Sequence, residues 1–238
     1  MQRALLVAAL AAAAVSRGGA QSLGTASSPH VELRELPGRD VKQLTAAAIV
    51  AAPAHVLRAV IADLERYPAF MPYVEESRIL GRDGSAELRV YQRLSFGVPM
   101  VDDRHYVIRF REQEYLDPNR GRSWAFVWRL ADELPADADA DAVRVTANSG
   151  YWDLRPAAGS PSRTEVHYCV LSDPGGRLWK GLASWANASA APKLFSRVER
   201  EARRPRYAGL PMPPPAEAVG SRPALGDCGA APPPPPEQ

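Results

Sequence analysis

The sequence is poor in the residues from which most active sites are built. Its 238 residues include only four histidines, and His30, His55, His105 and His167 are scattered along the chain. No two of them have the spacing of metal ligands, which argues against a zinc centre or a metal-activated water. The one glycine pair before a predicted helix, in Asp173-Pro174-Gly175-Gly176, lacks the lysine and hydroxyl residue that complete a phosphate cradle. His167 and Cys169 share a predicted strand face at two-residue spacing, as a thiol and its base would, but no third group is placed to orient them. No catalytic residue, metal or cofactor is therefore expected, and the chain is not expected to be an enzyme.

Charge of one sign is lacking too. Lys and Arg number 29 and Asp and Glu 27, and removing Arg3 and Arg17 with a cleaved leader leaves 27 of each. Nucleic acid is not an expected partner, because phosphate binding draws on concentrated basic charge. Long apolar runs are missing as well. The stretch Ala4 to Val15 is about 12 residues, short of the roughly 20 that span a bilayer. With Arg3 before it and Gly18-Gly19-Ala20 after it, the stretch reads as a secretory signal peptide over residues 1–20. An uncleaved anchor is the competing reading. No cysteine lies near the cleavage site, so no lipoprotein anchor is expected, and the protein is expected to be exported, periplasmic or secreted.

Proline, by contrast, is abundant and concentrated. Residues 205–238 are crowded with it and end in the run Pro232 to Pro236. Such a composition buries too little apolar surface to offset chain entropy, which predicts a disordered tail. A polyproline II ligand or a wall spacer is the functional alternative. Of the two cysteines, Cys169 falls in a predicted strand and Cys228 in this tail, so a bridge between them would have to pin the tail to the domain. The expectation is a buried Cys169 acting as a small hydrophobe, and a Cys228 that is free or pairs between chains.

Residues 21–38 read as a linker and 39–204 as one domain. Lys42 to Ala51 reads as a strand, and Pro53 opens a helix with Val56, Leu57, Val60, Ile61 and Leu64 at helical spacing. A compact turn or short helical segment follows over Tyr67 to Tyr73, then a strand from Val74 to Leu80 and a hairpin turn at Arg82 to Ser85. Further strands cover Ala86–Phe96, Asp103–Arg111, a segment placing Trp124, Phe126, Trp128 and Leu130 together, Val143–Leu154 and Thr164–Leu171. Each has one large apolar face, as an antiparallel sheet covered on one side requires. The acidic loop Asp132 to Asp141 reads as a flexible hairpin tip and lacks calcium-loop spacing. A long helix over about 177–203 ends the domain, with Pro192 expected to kink or break it.

The segments Asp63 to Val74, Val101 to Tyr106, Gly150 to Pro156, Thr164 to Tyr168 and Ser172 to Gly176 occur in an order that resembles the START-like, or helix-grip, lipid-binding superfamily. That superfamily includes the bacterial coenzyme-Q-binding and polyketide-cyclase-like proteins. The resemblance covers about residues 40–204. It implies an α+β fold, a curved antiparallel β-sheet wrapped around a long C-terminal α-helix, which encloses an apolar tunnel for a sterol, phospholipid, quinone or similar molecule. Loops near the end of that helix would act as a gate.

The strand faces that point inward carry Val90, Phe96, Tyr106, Ile108, Trp124, Phe126, Trp128 and Trp152, and the last helix adds Leu178, Leu182, Trp185 and Ser189. Packing in the core is the ordinary role for any one of these. The polar exceptions are more telling: Gln92 and Arg104 have inward parity, placed to meet a ligand hydroxyl, carbonyl or headgroup. Arg104 can equally snorkel to solvent or pair with Asp102 or Asp103. Trp179 and Lys180 are placed for transient contact with a membrane surface. The expected function is carriage or transfer of one hydrophobic ligand by a monomer. A cyclase or aromatase on the same fold, and an interaction module using the proline tail, are the alternatives.

Overall fold

One ten-stranded sheet organises the chain. The computed structural model describes residues 23–35, 42–84, 87–173, 175, 180–216, 219–225 and 228, with the side chains of 42 and 180–190 left outside the description. Two strands have no counterpart in the sequence reading, β1 (Gly24–Thr25) and β2 (His30–Glu35). The expected strand Val143–Leu154 is split in two, its first part being β8 (Val143–Arg144), so three short strands add to the seven expected. The other seven are β3 (Lys42–Val50), β4 (Val74–Asp83), β5 (Glu87–Leu94), β6 (Arg104–Asp117), β7 (Gly121–Leu130), β9 (Ala147–Ala157) and β10 (Ser160–Asp173). These run β3-β10-β9-β7-β6-β5-β4, antiparallel at every step. The expected linker is thus partly strand: β1 and β2 pair with the outer edge of β3, where they satisfy backbone groups an edge would leave open.

Helix α1 (Ala54–Ala62) follows Pro53 and turns Val56, Leu57, Val60 and Ile61 into the core. The turn at Tyr67 resolves into a 3-10 turn and a single-turn α2 (Tyr67–Phe70). The long helix α3 (Lys180–Ala202) is continuous through Pro192. Proline removes one backbone donor there, but Ala191, Leu194, Phe195, Val198 and Ala202 are buried around and beyond it, and that packing holds the helix together. The result is an α+β fold, a large curved antiparallel sheet with a C-terminal helix.

Register sets the inner face in rows. Trp124, Leu154, Val166 and Ala48 form one row across β7, β9, β10 and β3, and Phe126, Trp152, Tyr168 and Ala46 form the next. Beyond them lie Phe110, Trp128, Gly150, Val170 and Leu44, and at the far end Gln92 pairs with Tyr106 and Leu94 with Arg104. On the outer face the acidic loop is no free hairpin tip. Leu134 and Ala138 pack on buried Tyr91 and Val107, and Asp137 pairs with Arg78 at 2.7 Å.

The proline-rich segment departs most from its expected disorder. Its described residues form a strap against the domain. Buried Tyr207 donates to Asp63 at 2.6 Å, Arg122 donates to the carbonyls of Pro213 and Pro214, and the Leu116 amide donates to the Gly220 carbonyl. Further on, Arg222 meets Asp153 at 2.7 Å on the outer face, and Cys228 bonds to Cys169. Both cysteines are therefore paired within the chain, against the expectation of a free or intermolecular Cys228. Composition alone predicts disorder, but carbonyls that accept arginine donors and one covalent bond hold the strap with little apolar burial.

Candidate functional site

Burial of the inner face changes along the strands. At the α1 end the row is sealed: Trp124 and Leu154 are 1% exposed and Phe126 is fully buried, beneath Leu57, Val60 and Ile61. Part of the same face is only half-buried: Leu88, Tyr168 and Val170 in the middle rows and Leu130 and Leu94 beyond them, although they pack on the same core. An aromatic wall joins the two zones, with Trp152 4.5 Å from Tyr168 and 5.8 Å from Phe195 on α3, and Trp128 stacked on Tyr168 at 5.9 Å. Phe110 stacks on Phe126 beside it.

Within this apolar surface lies a short chain of polar groups. The Tyr106 hydroxyl donates to Gln92 Oε1 at 2.8 Å, and Gln92 Nε2 donates to Ser77 Oγ at 3.1 Å. The Trp128 indole donates to Asn148 Oδ1 at 2.9 Å, and Asn148 also lies close enough to the Tyr106 hydroxyl to influence it. Burial pushes the phenols of Tyr67, Tyr106 and Tyr168 well above their ordinary range, so all three are neutral hydrogen-bonding groups at physiological pH. Tyr67 donates to the Ile61 carbonyl at 2.7 Å.

Arg104 stands at the end of the same face and is 2% exposed. Its Nη1 donates to the carbonyls of Asp102 and Asp103 at 2.5 and 3.2 Å, while its Nε is buried without a partner. Among the described residues no carboxylate forms a salt bridge with it; Asp103 is taken by Arg93 at 2.5 Å. Burial lowers the Arg104 pKa from its ordinary value, against the pull of Asp102 and Asp103. The guanidinium neither snorkels freely nor ion-pairs, and it is a buried cation held by backbone carbonyls.

Of the residues expected on this face, Val90, Gln92, Arg104, Tyr106, Ile108, Trp124, Phe126, Trp128 and Trp152 are all buried on the same side of the sheet. Phe96 is not among them. Strand β5 ends at Leu94, and Phe96 lies in the following loop, 5.4 Å from Tyr73. Leu178 lies outside the described residues, and of Leu182, Trp185 and Ser189 only the helical backbone is described. Sequence reasoning passed over Ser77, Asn148 and Tyr168. The signal was available, since Asn148 has the inward parity of Trp152 and Tyr168 that of Val166. His105 and His167 have outward parity, and His167 meets Glu165 and Arg155 there at 2.8 Å.

The model of the family described as polyketide cyclase / dehydrase and lipid transport matches residues 50–199. No curated protein matches the chain by sequence. Among solved structures, the chain is similar to a STAR-related lipid transfer protein from Xanthomonas axonopodis, at 22% identity and a TM-score of 0.62, covering 73% of this chain and 93% of that one. It is also similar to human STARD10, at 14% identity and a TM-score of 0.60 over 73% of this chain and 72% of that one. Human StAR-related lipid transfer protein 5 matches at 10% identity and 0.60, over 73% and 81% of the two chains. These likenesses establish a START-like fold. The family match, which spans α1, the sheet from β4 to β10 and most of α3, carries the further conclusion that this chain belongs to the polyketide cyclase / dehydrase and lipid transport family.

Proposed function

We propose that the protein binds one hydrophobic molecule against the inner face of its sheet and carries it, unchanged, outside the cytoplasm. One observation carries the reading: the inner face is sealed under α1 but keeps half-buried apolar side chains, Leu88, Leu94, Leu130 and Val170, beyond that end, on the same face as buried Gln92, Tyr106 and Arg104. Apolar surface left partly open gains about 25 cal/mol per Å² when a ligand covers it. A mostly apolar wall with a few converging polar groups is the usual form of a small-molecule site. Gln92, Tyr106, Ile108, Trp128 and Trp152 form that wall in this reading, and Arg104 and the Tyr106–Gln92 pair orient a polar end. Solved proteins of the same fold bear the name of lipid transfer. Export is supported by the leader-like first 20 residues and by a disulfide, which persists in oxidising compartments.

A cyclase acting on a polyketide is the second reading, favoured by the family's own description and by an inward arginine beside neutral phenols. Native mass spectrometry of the protein purified from its own host separates the two. Carriage predicts a one-to-one adduct with an apolar molecule that is recovered chemically unchanged. Ligand-free protein with no uptake of added phospholipid or quinone overturns carriage, and conversion of an offered poly-β-keto chain establishes the second reading.

A further inference from the structure

The strap leaves the last turn of α3 and stays at first on the side of α1, where the Leu210 carbonyl lies 3.0 Å from His55 Nε2. Strand β6 extends beyond the described part of β5, whose last pair is Glu87 opposite Arg111, so among the described residues no strand pairs with the β6 edge over residues 112–117 on that side. The strap crosses there: Gly220 bridges Tyr115 in parallel register and Gln113 donates to the Ser221 carbonyl. It then passes to the outer face, where Arg222 meets Asp153, the Ser149 hydroxyl donates to the Cys228 carbonyl, and Cys228 joins Cys169. The bond closes a ring of sequence separation 59 that contains all of α3, with α3 on the inner face and the strap on the outer.

Apart from the bond the strap is held by hydrogen bonds and one ion pair, with little apolar burial. Between Tyr207 and Cys228 no described residue is buried. Arg222 has a side chain 46% exposed, and its fully buried partner Asp153 keeps a second cation, Arg155, at 3.6 Å, so the pair is not the only charge contact that Asp153 has. Beneath the strap, however, Asp153 and Tyr115 are fully buried, with the Tyr115 hydroxyl donating to Asp153.

We infer that Cys169–Cys228 is a redox-sensitive latch, which holds the C-terminal strap over the β6 edge and the Asp153–Tyr115 pair while oxidised and frees it when reduced. A dithiol reductant supplies the two electrons. One of its thiolates attacks a latch sulfur, the S–S bond breaks to a mixed disulfide and one protein thiol, and the second thiolate resolves that disulfide. The products are Cys169 and Cys228 as thiols and the reductant as its disulfide. Cys169 is fully buried and Cys228 5% exposed, so attack awaits local opening of the strap, which keeps the latch closed against brief exposure to thiols. The latch is independent of what the inner face binds.

Elastase digestion of the full chain under native conditions tests it, because Ala216, Val219 and Ala224 offer cleavage points within the strap. Cys228→Ser is expected to be cut in the strap about tenfold faster than the oxidised parent, leaving a resistant body that ends near Ala216. Arg222→Ala with the disulfide intact should be cut within about twofold of the parent. Should Cys228→Ser fail to fold, oxidised parent treated with a dithiol after folding gives the same readout. A strap equally resistant with and without the bond overturns the latch. Loss of the body together with the strap overturns it as well, since the bond would then be stabilising the whole domain.

Discussion

Tyr106 and Gln92 face each other directly across β5 and β6, and the phenol donates to the amide oxygen at 2.8 Å in the middle of an apolar face. The amide nitrogen is in turn spent on Ser77. Each group of the pair thus has a partner within the protein, so its hydrogen bonds serve the fold first. A ligand can engage it through the second N–H and the second lone pair of the Gln92 amide or through the tyrosine oxygen.

Tyr106→Phe should therefore cost about 1–2 kcal/mol in urea unfolding, because Gln92 Oε1 is left buried without its donor. Gln92→Leu in the Tyr106→Phe background should recover much of that loss by removing the orphaned amide. A double variant no more stable than Tyr106→Phe would mean that the amide has found another partner.

Much of this arrangement was legible beforehand, because period-2 alternation fixes which side of a strand each residue takes. Val90, Gln92, Tyr106, Ile108 and the three tryptophans of β7 and β9 needed only parity to be placed. Phe96 followed the same alternation past the true end of β5, where parity stops meaning anything. The strap was illegible for a different reason. Its residues are held by arginines and a cysteine that are distant in sequence, and composition cannot report such contacts. The acidic loop was misread likewise, since its charges mask Leu134 and Ala138, which pin it to Tyr91 and Val107.

Arg104→Met separates stability from binding. The arginine is buried without an ion-pair partner among the described residues, and replacing such a charge by an apolar side chain of similar length is often neutral or stabilising by about 1–4 kcal/mol. If the guanidinium meets the polar end of a ligand, the same change weakens retention of an added phospholipid or quinone by about tenfold or more. Unfolding curves and ligand retention should thus move in opposite directions. A parallel loss in both would assign Arg104 to holding the Asp102–Asp103 turn.

Gly150→Ala should be among the costlier small changes. A Cβ at this position would sit 2.2 Å from the Cys169 carbonyl oxygen and 2.4 Å from the Trp128 ring. Neither can yield easily, as the carbonyl belongs to β10 and Trp128 is fixed by Asn148 and by stacking on Tyr168. Overpacking of this kind costs about 1–3 kcal/mol, and a shift in Trp128 fluorescence should accompany the loss of stability. Unchanged emission and melting would show that the strands can spread.

Acid should destabilise the fold in two stages. Burial holds His105 below its ordinary value of 6.5, aided by Arg144 and opposed by Asp139. The side chain also faces Tyr91 at 3.5 Å and is paired across the strands with Arg93. Because the folded pKa is depressed, the unfolded chain takes up the proton first, and stability falls as the pH drops from about 6.5 towards the folded value. The second stage belongs to carboxylates. The hydrogen bond from Arg122 holds Glu114 below 4.5, and at Glu165 burial is outweighed by the hydrogen bond from His167 and the charges of Arg155 and Arg120. Their contribution is complete above about 4.5 and is lost as the pH falls through the lower folded values. Melting temperature followed from pH 8 to 3 should show both stages. His105→Gln should flatten the upper one and leave the lower, and an upper stage that survives the substitution would assign it to another group.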